Sequence, residues 1–257
     1  MAIIDIQYPD GSRAAVGESL KLQVQHPSWG SYVPSSLFVY DQDHFTGDVI
    51  GDQWSAAKGS DAQAVIAAVV AGAHGGVVSQ TTGDSVVVAE SCVSLTKALN
   101  YKSANTIRFE CRFKPVTSVA NVQYFIGLTD VLATTTLEQP ITLSGTTLTT
   151  AATDAVGFVY DTDATNDTWH LQGVKADTDT ALLNSTIVPV VDTWAVYRIE
   201  VSSTGTASFY INDVLVGEVA NAVTTTVALT PVVEAMARTT TVKEVQIDYI
   251  DVFTKVA

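Results

Sequence analysis

The densest group of possible metal ligands is a short acidic segment at residues 161–167, Asp-Thr-Asp-Ala-Thr-Asn-Asp. Calcium binds several oxygen ligands that converge from one loop, and Asp161, Asp163 and Asp167 are the candidate ligands in this segment. The pattern departs from an EF-hand because no glycine stands at the sixth position. The alternative is a solvated hairpin turn whose Asp and Asn side chains bind backbone N–H groups. Residues 177–179 could face this loop or form a second polar turn.

Carboxylate pairs that could hydrolyse a glycosidic bond are the next kind of site to consider. A retaining glycosidase needs two carboxyl groups about 5 Å apart, which alternate positions on one strand can supply. The sequence contains no Glu-x-Asp, and its nearest pattern places Glu244 and Asp248 roughly 13 Å apart along a strand. A Gly-x-Ser-x-Gly nucleophile elbow is also missing from the sequence. We therefore predict no catalytic residues and no enzymatic activity.

The histidines are scattered along the chain and lack the His-Glu-x-x-His spacing of a zinc site. They are His26, His44, His74 and His170. Each is interpreted as a structural or surface histidine, and no cofactor is predicted apart from the calcium alternative.

Tryptophan rings can stack on sugars, but in sandwich proteins they more often anchor the core. Trp54 and Trp194 stand at the starts of predicted strands, so we place them in the core. Trp29 lies in an irregular stretch and is the tryptophan most suited to contact a ligand.

Two cysteines, Cys92 and Cys111, are present. Apolar residues fill every second position of the segment 107–113, so Cys111 is predicted to face a core. The two cysteines could lie opposite each other on neighbouring strands, so a disulfide between them stays open.

The charge balance excludes some partners. With 27 acidic and 13 basic residues, the net charge is −14, which repels nucleic acid and anionic membranes. The N-terminus lacks a basic region, and Asp5 interrupts its apolar stretch, so we predict no signal peptide. No run approaches the roughly 18 apolar residues of a membrane helix.

Val, Thr and Ala dominate the composition, and short alternating or apolar segments recur between turn signals. Val and Thr favour extended backbone, and many short strands with turns between them indicate one all-β sandwich. We divide the chain into an N-terminal arm or edge extension, residues 1–36, and an antiparallel two-sheet sandwich, residues 37–257. The arm contains one clean alternating strand at residues 20–24 and is too short to own a core.

Several segments carry specific predictions. Residues 62–71 and 85–89 are predicted to be strands, and the Thr-rich residues 131–153 a long surface loop or an exposed hairpin. In residues 242–253, strict alternation places Val245, Ile247, Tyr249 and Asp251 on one face.

Part of the sequence resembles the concanavalin A-like, laminin-G-type jelly rolls. Residues 192–201 (Asp-Thr-Trp-Ala-Val-Tyr-Arg-Ile-Glu-Val) resemble a late strand of that family, and they precede Phe-Tyr-Ile-Asn-Asp at 209–213 and Leu-Val-Gly at 215–217. Asn212 and Asp213 also tolerate the positive φ of a tight hairpin turn. The resemblance implies a jelly-roll sandwich and says little about function, because this fold carries lectins, glycosidases and structural modules.

Other segments are similar to this family as it occurs in bacteriophage virion proteins. They are Phe-Thr-Gly-Asp at 45–48 with Trp54, residues 75–84, and residues 154–161. The resemblance implies a non-enzymatic structural protein on the surface of a phage particle, such as a capsid decoration or head-surface protein. Its partners would be the capsid shell and further copies of itself in a homo-oligomer, assembled in the host cytoplasm. The alternatives are a carbohydrate-binding module of a phage adhesion structure and, third, a glycoside hydrolase.

Overall fold

The computed structural model describes residues 38–45, 50–67, 76–132, 137 and 139–255, together with the backbone of four earlier strands. In chain order the described strands are β1 (Ile4–Gln7), β2 (Arg13–Val16), β3 (Leu22–Gln25), β4 (Tyr32–Pro34), β5 (Phe38–Asp43), β6 (Ser55–Lys58), β7 (Val65–Ala67), β8 (Val78–Thr81), β9 (Val93–Thr96), β10 (Ile107–Pro115), β11 (Val122–Thr129), β12 (Ile141–Ser144), β13 (Thr147–Thr150), β14 (Ala155–Asp161), β15 (His170–Lys175), β16 (Thr178–Asp179), β17 (Leu183–Asn184), β18 (Ala195–Val201), β19 (Ala207–Ile211), β20 (Val214–Val219), β21 (Thr230–Ala237) and β22 (Glu244–Lys255). The helical elements of these ranges are α1 (Val88–Ser91) and a 3-10 turn at Ser103–Asn105.

Two antiparallel sheets form the sandwich. The front sheet has the order β20-β19-β18-β10-β22-β8-β7, with β5 also beside β22. The back sheet has the order β16-β15-β14-β11-β21-β9-β6, with β17 also beside β15. The predicted all-β, two-sheet antiparallel sandwich is confirmed. Among the described residues, no helix is long and apolar enough to traverse a membrane.

Alternation along each strand directs apolar side chains between the two sheets. Trp169 and Tyr197 lie at the centre of this core, with ring centroids 4.9 Å apart, and Phe158 meets Phe209 edge to face at 5.1 Å. Such aromatic pairs contribute about 0.5–1.5 kcal/mol each beyond the apolar area that they bury. Cys111 is fully buried in this core, as predicted.

The central strands of the back sheet are buried on both faces, which requires a further layer over the outer face. Every residue of β11, β14 and β21 is buried. The cover is the β12–β13 hairpin, whose Ile141 packs with Phe125, Val159 and Val232 in a second apolar cluster. The Thr-rich segment 131–153 therefore does contain a hairpin, but the hairpin is not freely exposed, because Ile141 and Leu143 are buried.

Strand β22 carries a β-bulge that the alternating sequence pattern did not predict. Arg112 stands opposite Tyr249 while Phe113 stands opposite Ile247, so Asp248 is an extra residue on β22. Val245 and Ile247 face the core before the bulge, whereas Ile250 and Val252 do so after it. The predicted common face of Val245, Ile247, Tyr249 and Asp251 is thus wrong, because the bulge reverses the alternation.

The segment 85–89 is not a strand. Its Ser85 hydroxyl accepts a hydrogen bond from the Val87 N–H at 3.1 Å, and the chain then enters α1. A local side-chain bond of this kind competes with strand pairing. Residues 62–71 contain β7, and their remainder from 68 onward lies outside the described residues.

The strands β1 to β4 form an antiparallel sheet of their own in the order β1-β2-β3-β4, named here the N-terminal sheet. None of the described strand pairings connects this sheet to the front or the back sheet. The boundary between residues 1–36 and 37–257 stays a prediction.

Candidate functional site

Asp161, the first calcium candidate, is buried at the end of β14 and is neutralised by Arg238. Arg238 donates from Nε to Asp161 Oδ1 at 3.1 Å and from Nη2 to Oδ2 at 2.5 Å. The backbone N–H groups of Leu143 and Asp163 donate to the same carboxylate at 3.2 and 3.1 Å. Burial raises the pKa of Asp161, and its bonds to Arg238 lower that pKa in part. A guanidinium thus supplies the positive charge that the calcium hypothesis assigned to a metal.

Asp163 shares Arg238 with Asp161, whereas the other acidic residues of this region lie elsewhere. Asp163 Oδ2 lies 3.5 Å from Arg238 Nε, while Asp167 is exposed. Asp177 and Asp179 flank the opposite end of β14, because Val174 pairs with both Ala155 and Asp179. Within the described part of the chain, no three His, Cys, Asp or Glu residues are arranged to hold a metal. Calcium binding by Asp161, Asp163 and Asp167 stays a prediction.

The remaining sequence candidates are dispersed. Asp248 is ion-paired with Arg112, and Glu244 accepts a hydrogen bond from Ser79 Oγ at 3.0 Å. His44 is exposed at the end of β5, with its ring 5.5 Å from that of Tyr249. His170 is buried on the back sheet, and burial lowers its pKa. His26, His74 and Trp29 lie outside the described residues.

The two cysteines lie in different sheets. Cys92 immediately precedes β9 of the back sheet, Cys111 is in β10 of the front sheet, and both are unbridged. Burial raises the pKa of both thiols well above the usual range, which disfavours the reactive thiolate.

Polar side chains cover the outer face of the front sheet, and this surface is the strongest candidate for a functional site. We name it the arginine face. It is formed by Arg108, Glu110, Arg112, Lys114, Trp194, Arg198, Glu200, Tyr210, Tyr249 and Asp251.

One row of this face runs across five strands. Tyr210 of β19 pairs with Arg198 of β18, and Arg198 pairs with Glu110 of β10. Glu110 pairs in turn with Asp251 of β22, and Asp251 with Gln42 of β5. Directly opposed residues have Cβ atoms about 4.5–5.5 Å apart, so the row is a continuous strip of aromatic, cationic and anionic groups.

Glu110 is the centre of this strip and is held from three directions. Its Oε2 lies 3.5 Å from Arg108 Nη2 and 3.9 Å from Arg198 Nη1. Its Oε1 accepts a hydrogen bond from the Tyr249 hydroxyl at 2.8 Å. Burial and the negative charge of Glu110 raise the pKa of Tyr249, so the phenol keeps its proton and donates.

Arg198 and Arg112, both on the arginine face, each lie against an aromatic ring. Arg198 Cζ is 4.2 Å from the centroid of Tyr210, and Arg198 also pairs with Asp213 in the turn between β19 and β20. Arg112 Cζ lies 4.8 Å from the centroid of Trp194, and Lys114 Nζ lies 5.1 Å from it. These are cation–π distances.

Trp194 is partly exposed, whereas Trp169 and Trp54 are buried. The prediction that Trp54 lies in the core is confirmed, and the same prediction for Trp194 is wrong. Trp194 lies just before β18, where Arg112 and Lys114 of the neighbouring β10 point outward and support its ring. A hollow of about 230 Å³ at another part of the face is lined by Arg108, Glu200 and Phe253, among others.

Glu234, on the outer side of the back sheet, was also missed. It stands directly opposite Ser94 and is 1% exposed, and burial raises its pKa to about 8, partly offset by Ser94. Its Oε2 has no hydrogen-bond partner in the structure. Its surroundings depend on strands distant in sequence, so no local pattern could reveal it.

The arginine face, in contrast, could be recognised in part from the sequence. Arg108, Glu110 and Arg112 alternate with apolar residues, and Arg198 and Glu200 do the same on β18. That two such strands are neighbours could be known only from the sheet order.

No family model matches this sequence, and no curated protein matches it. Solved structures with similar folds include a protein of unknown function from Shewanella oneidensis MR-1, with 14% identity over 86% of this chain and 88% of that one at a TM-score of 0.56. A β-glucanase of Bacillus licheniformis shares 10% identity over 84% and 98% of the two chains, also at 0.56. The carbohydrate recognition domain of Emp47p shares 11% over 87% and 100%, again at 0.56. These likenesses show that the chain has the concanavalin A-like jelly-roll fold.

Proposed function

We propose that this chain is a non-enzymatic binding domain that contacts a protein partner through the arginine face. One observation carries the proposal: Arg198, Tyr210 and Trp194 all lie on the outer side of the front sheet, and each is partly exposed. Tryptophan, tyrosine and arginine are the residues that most often dominate binding energy at protein interfaces. The outer side of the back sheet is already covered by the β12–β13 hairpin.

The side chains of the arginine face are held in fixed positions, which favours binding to one specific partner over general attraction of opposite charges. Arg198 and Arg112 are each held by a carboxylate and an aromatic ring, which fixes their geometry before a partner arrives. A surface that is already ordered loses less entropy on binding.

We further propose that the partner is the capsid shell of a bacteriophage and that the chain is a surface component of that particle. This part of the proposal rests only on the resemblance noted in the sequence for residues 45–48, 75–84 and 154–161. In this proposal the chain assembles in the host cytoplasm as a homo-oligomer.

Co-sedimentation with phage particles tests both parts of this proposal. The tagged full chain is mixed with particles released from its native host, alongside Arg198→Glu and Trp194→Ala. The control is Lys58→Glu, which makes the same charge change as Arg198→Glu on an exposed position of the back sheet. We expect the wild type and Lys58→Glu to sediment with particles and the two face variants to stay in solution. Equal sedimentation of all four proteins would refute the arginine face as the contact.

A carbohydrate-binding function is the second candidate, and the exposed part of Trp194 favours it. Sugars stack on aromatic rings and accept hydrogen bonds from neighbouring arginine and lysine side chains, and Arg112 and Lys114 adjoin this ring. A glycan array distinguishes the two functions: saturable binding that Trp194→Ala abolishes would favour the glycan over the protein partner.

A glycoside hydrolase is the third candidate. Glu110 and Asp251 stand directly opposite each other on neighbouring strands, so their spacing is compatible with the roughly 5 Å of a retaining pair. The carboxylate of Glu110 is, however, already engaged by Tyr249 and two arginines.

A further inference from the structure

Exposed apolar side chains gather at one corner of the front sheet. Among the described residues, nine large apolar side chains are exposed, and five of them belong to two short segments at this corner. They are Val188, Val190, Val191, Val214 and Leu215. Val214 and Val190 have the largest exposed fractions of the nine, 65% and 60%. Such a concentration marks an interaction surface, whereas single exposed apolar residues do not.

The two segments meet where β18 begins. The first leads through Trp194 directly into β18, and the second begins β20 after the β19–β20 turn. Asn212 of that turn is bonded to Val196 in both directions, because its N–H donates to the Val196 carbonyl and its Oδ1 accepts from the Val196 N–H, each at 2.9 Å. We name residues 188–194 and 212–215 the β18 corner. Trp194 belongs both to this corner and to the arginine face.

The accessible charge at this corner is mainly negative. Lys114 pairs with Asp192 at 2.8 Å, but the lysine side chain is 15% exposed and the aspartate side chain 73%. Arg198 pairs with Asp213, and the exposed fractions of these two side chains are 11% and 73%. Arg112 is more accessible than either of these cations, at 38%. Both aspartates are thus held by cations that are largely buried, so a partner meets the carboxylates first.

These charges restrict the kind of molecule that can cover the valines. A second copy of this chain, placed about a twofold axis, would bring Asp192 and Asp213 toward their own counterparts, and both copies would carry a net charge of −14. Nucleic acid is repelled by the same charge. A protein surface that carries lysine or arginine around apolar side chains complements both the aspartates and the valines.

We propose that the β18 corner binds a protein surface that presents apolar side chains bordered by lysine or arginine. This inference rests on the proposed function, because it takes the arginine face as part of the contact, and it adds the chemistry of the partner. Protein interfaces commonly have an apolar centre and a polar rim. In this contact the valines and Leu215 form the centre, and the two aspartates form the rim.

A matched pair of double variants tests the charge. Asp192→Asn with Asp213→Asn removes two carboxylates at the corner. Asp177→Asn with Asp179→Asn removes two exposed carboxylates beside β15 of the back sheet, so both variants have the same net charge. Asparagine suits the positive φ of residues 192 and 213, which keeps the backbone of the corner intact.

A second matched pair tests the apolar centre. Val214→Ser with Leu215→Ser removes apolar groups at the corner, and Val86→Ser with Val87→Ser removes similarly exposed groups beside α1. Binding of each full-length protein is measured by fluorescence anisotropy with two labelled peptides, at low and at high salt. One peptide alternates leucine with lysine, and the other alternates leucine with glutamate. Circular dichroism checks that the thermal midpoint is unchanged in every variant.

We expect the wild type and both control variants to bind the leucine–lysine peptide with similar dissociation constants and not to bind the leucine–glutamate peptide. Each corner variant should raise the dissociation constant by about tenfold or more. Salt should weaken binding by the wild type more than binding by the Asp192→Asn and Asp213→Asn double variant. Equal constants for the corner and control variants would overturn the proposal. So would self-association of the wild type that the Val214→Ser and Leu215→Ser double variant abolishes, because a second copy would then be the occupant.

Co-sedimentation with phage particles separates this inference from the proposed function. If Arg198→Glu stays in solution while both corner variants sediment like the wild type, the arginine face is the contact and the inference about the corner is wrong. If the wild type does not sediment but peptide binding depends on the corner, only the capsid partner is wrong.

Discussion

Arg238 donates two hydrogen bonds to the two carboxylate oxygens of Asp161, at 3.1 and 2.5 Å, and thereby joins the end of β21 to the end of β14. Arg238 Nη2 also donates to Gln123 Oε1 at 2.5 Å, so the guanidinium links three adjacent strands of the back sheet. The acidic loop after β14 is thus organised around a cation that belongs to the chain.

Replacing Arg238 by Met should destabilise the fold by about 3–5 kcal/mol, because it leaves the carboxylate of Asp161 buried without a partner. The loss should be greater at pH 8 than at pH 5. Removal of the guanidinium raises the pKa of Asp161 further, so the native state loses stability as rising pH ionises this acid. Urea unfolding at the two pH values measures both effects. A loss below 1 kcal/mol would show that the pair contributes little.

Calorimetric titration of chelator-treated protein with calcium tests the remaining metal hypothesis. Because Arg238 already neutralises Asp161, we expect no saturable heat and no calcium-dependent rise in thermal midpoint. Stoichiometric binding that Asp163→Asn and Asp167→Asn both abolish would restore the loop as a calcium site.

Glu234→Gln should flatten the dependence of stability on pH. The folded pKa of Glu234 is about 8, against about 4.3 in an unfolded chain. The neutral acid is therefore favoured in the fold, its contribution is complete below pH 4, and it is lost as pH rises toward 8 at up to about 1.4 kcal/mol per unit. At pH 8 the variant should exceed the wild type by a few kcal/mol, and at pH 4 the two should match. If the unfolding free energies of the two proteins changed in parallel between pH 4 and pH 8, Glu234 would not be the group responsible.

Gly157→Ala tests whether the outer side of the back sheet is closed. A Cβ at this position would lie 2.6 Å from Phe125 Cζ, so the ring would have to move within a packed layer. We expect a loss of about 1–3 kcal/mol in unfolding free energy. Gly51→Ala is the control, because its new Cβ would meet only the flexible side chain of Gln53, at 3.5 Å. Equal stabilities for the two variants would indicate an open face.

The chain should release no reducing sugar from common polysaccharides, since Glu110 is engaged by Arg108, Arg198 and Tyr249. The assay includes Glu110→Gln and Asp251→Asn, with Glu244→Gln as a control on the same strand as Asp251. Activity in the wild type that vanished in the first two variants, and persisted in the third, would make this protein a hydrolase.

Local alternation was sufficient to predict the sandwich, because a strand such as β10 shows its inner and outer faces in its own residues. The turn at Asn212 and Asp213 was also predicted, and both residues have positive φ, 50° and 64°. The predictions that were wrong concern features determined by residues distant in sequence. The bulge at Asp248 is defined by pairing with β10, and the exposure of Trp194 by the side chains that support it.

The candidate site was less predictable than the fold. Its acidic, basic and aromatic residues were all visible, but they belong to strands separated by up to about 140 residues, as in the hydrogen bond between Tyr249 and Glu110. In the acidic loop, by contrast, residues close in sequence were misleading. Asp161 is neutralised by Arg238, which lies 77 residues away in the chain. The spacing of the acidic residues suggested calcium ligands, but the folded structure pairs Asp161 with Arg238 instead.

The position of β22 has a consequence for biosynthesis. This strand has β10 along one edge, and β8 and β5 along the other. A ribosome makes these residues after every other described strand of the sandwich, so until β22 emerges the nascent front sheet exists as three separate pieces with unpaired edges: β10 with β18 to β20, β7 with β8, and β5 alone. Exposed edges of this kind invite wrong pairing between neighbouring chains. Slowing translation after residue 243, or removing residues 244–255, should therefore leave the nascent protein dependent on chaperones.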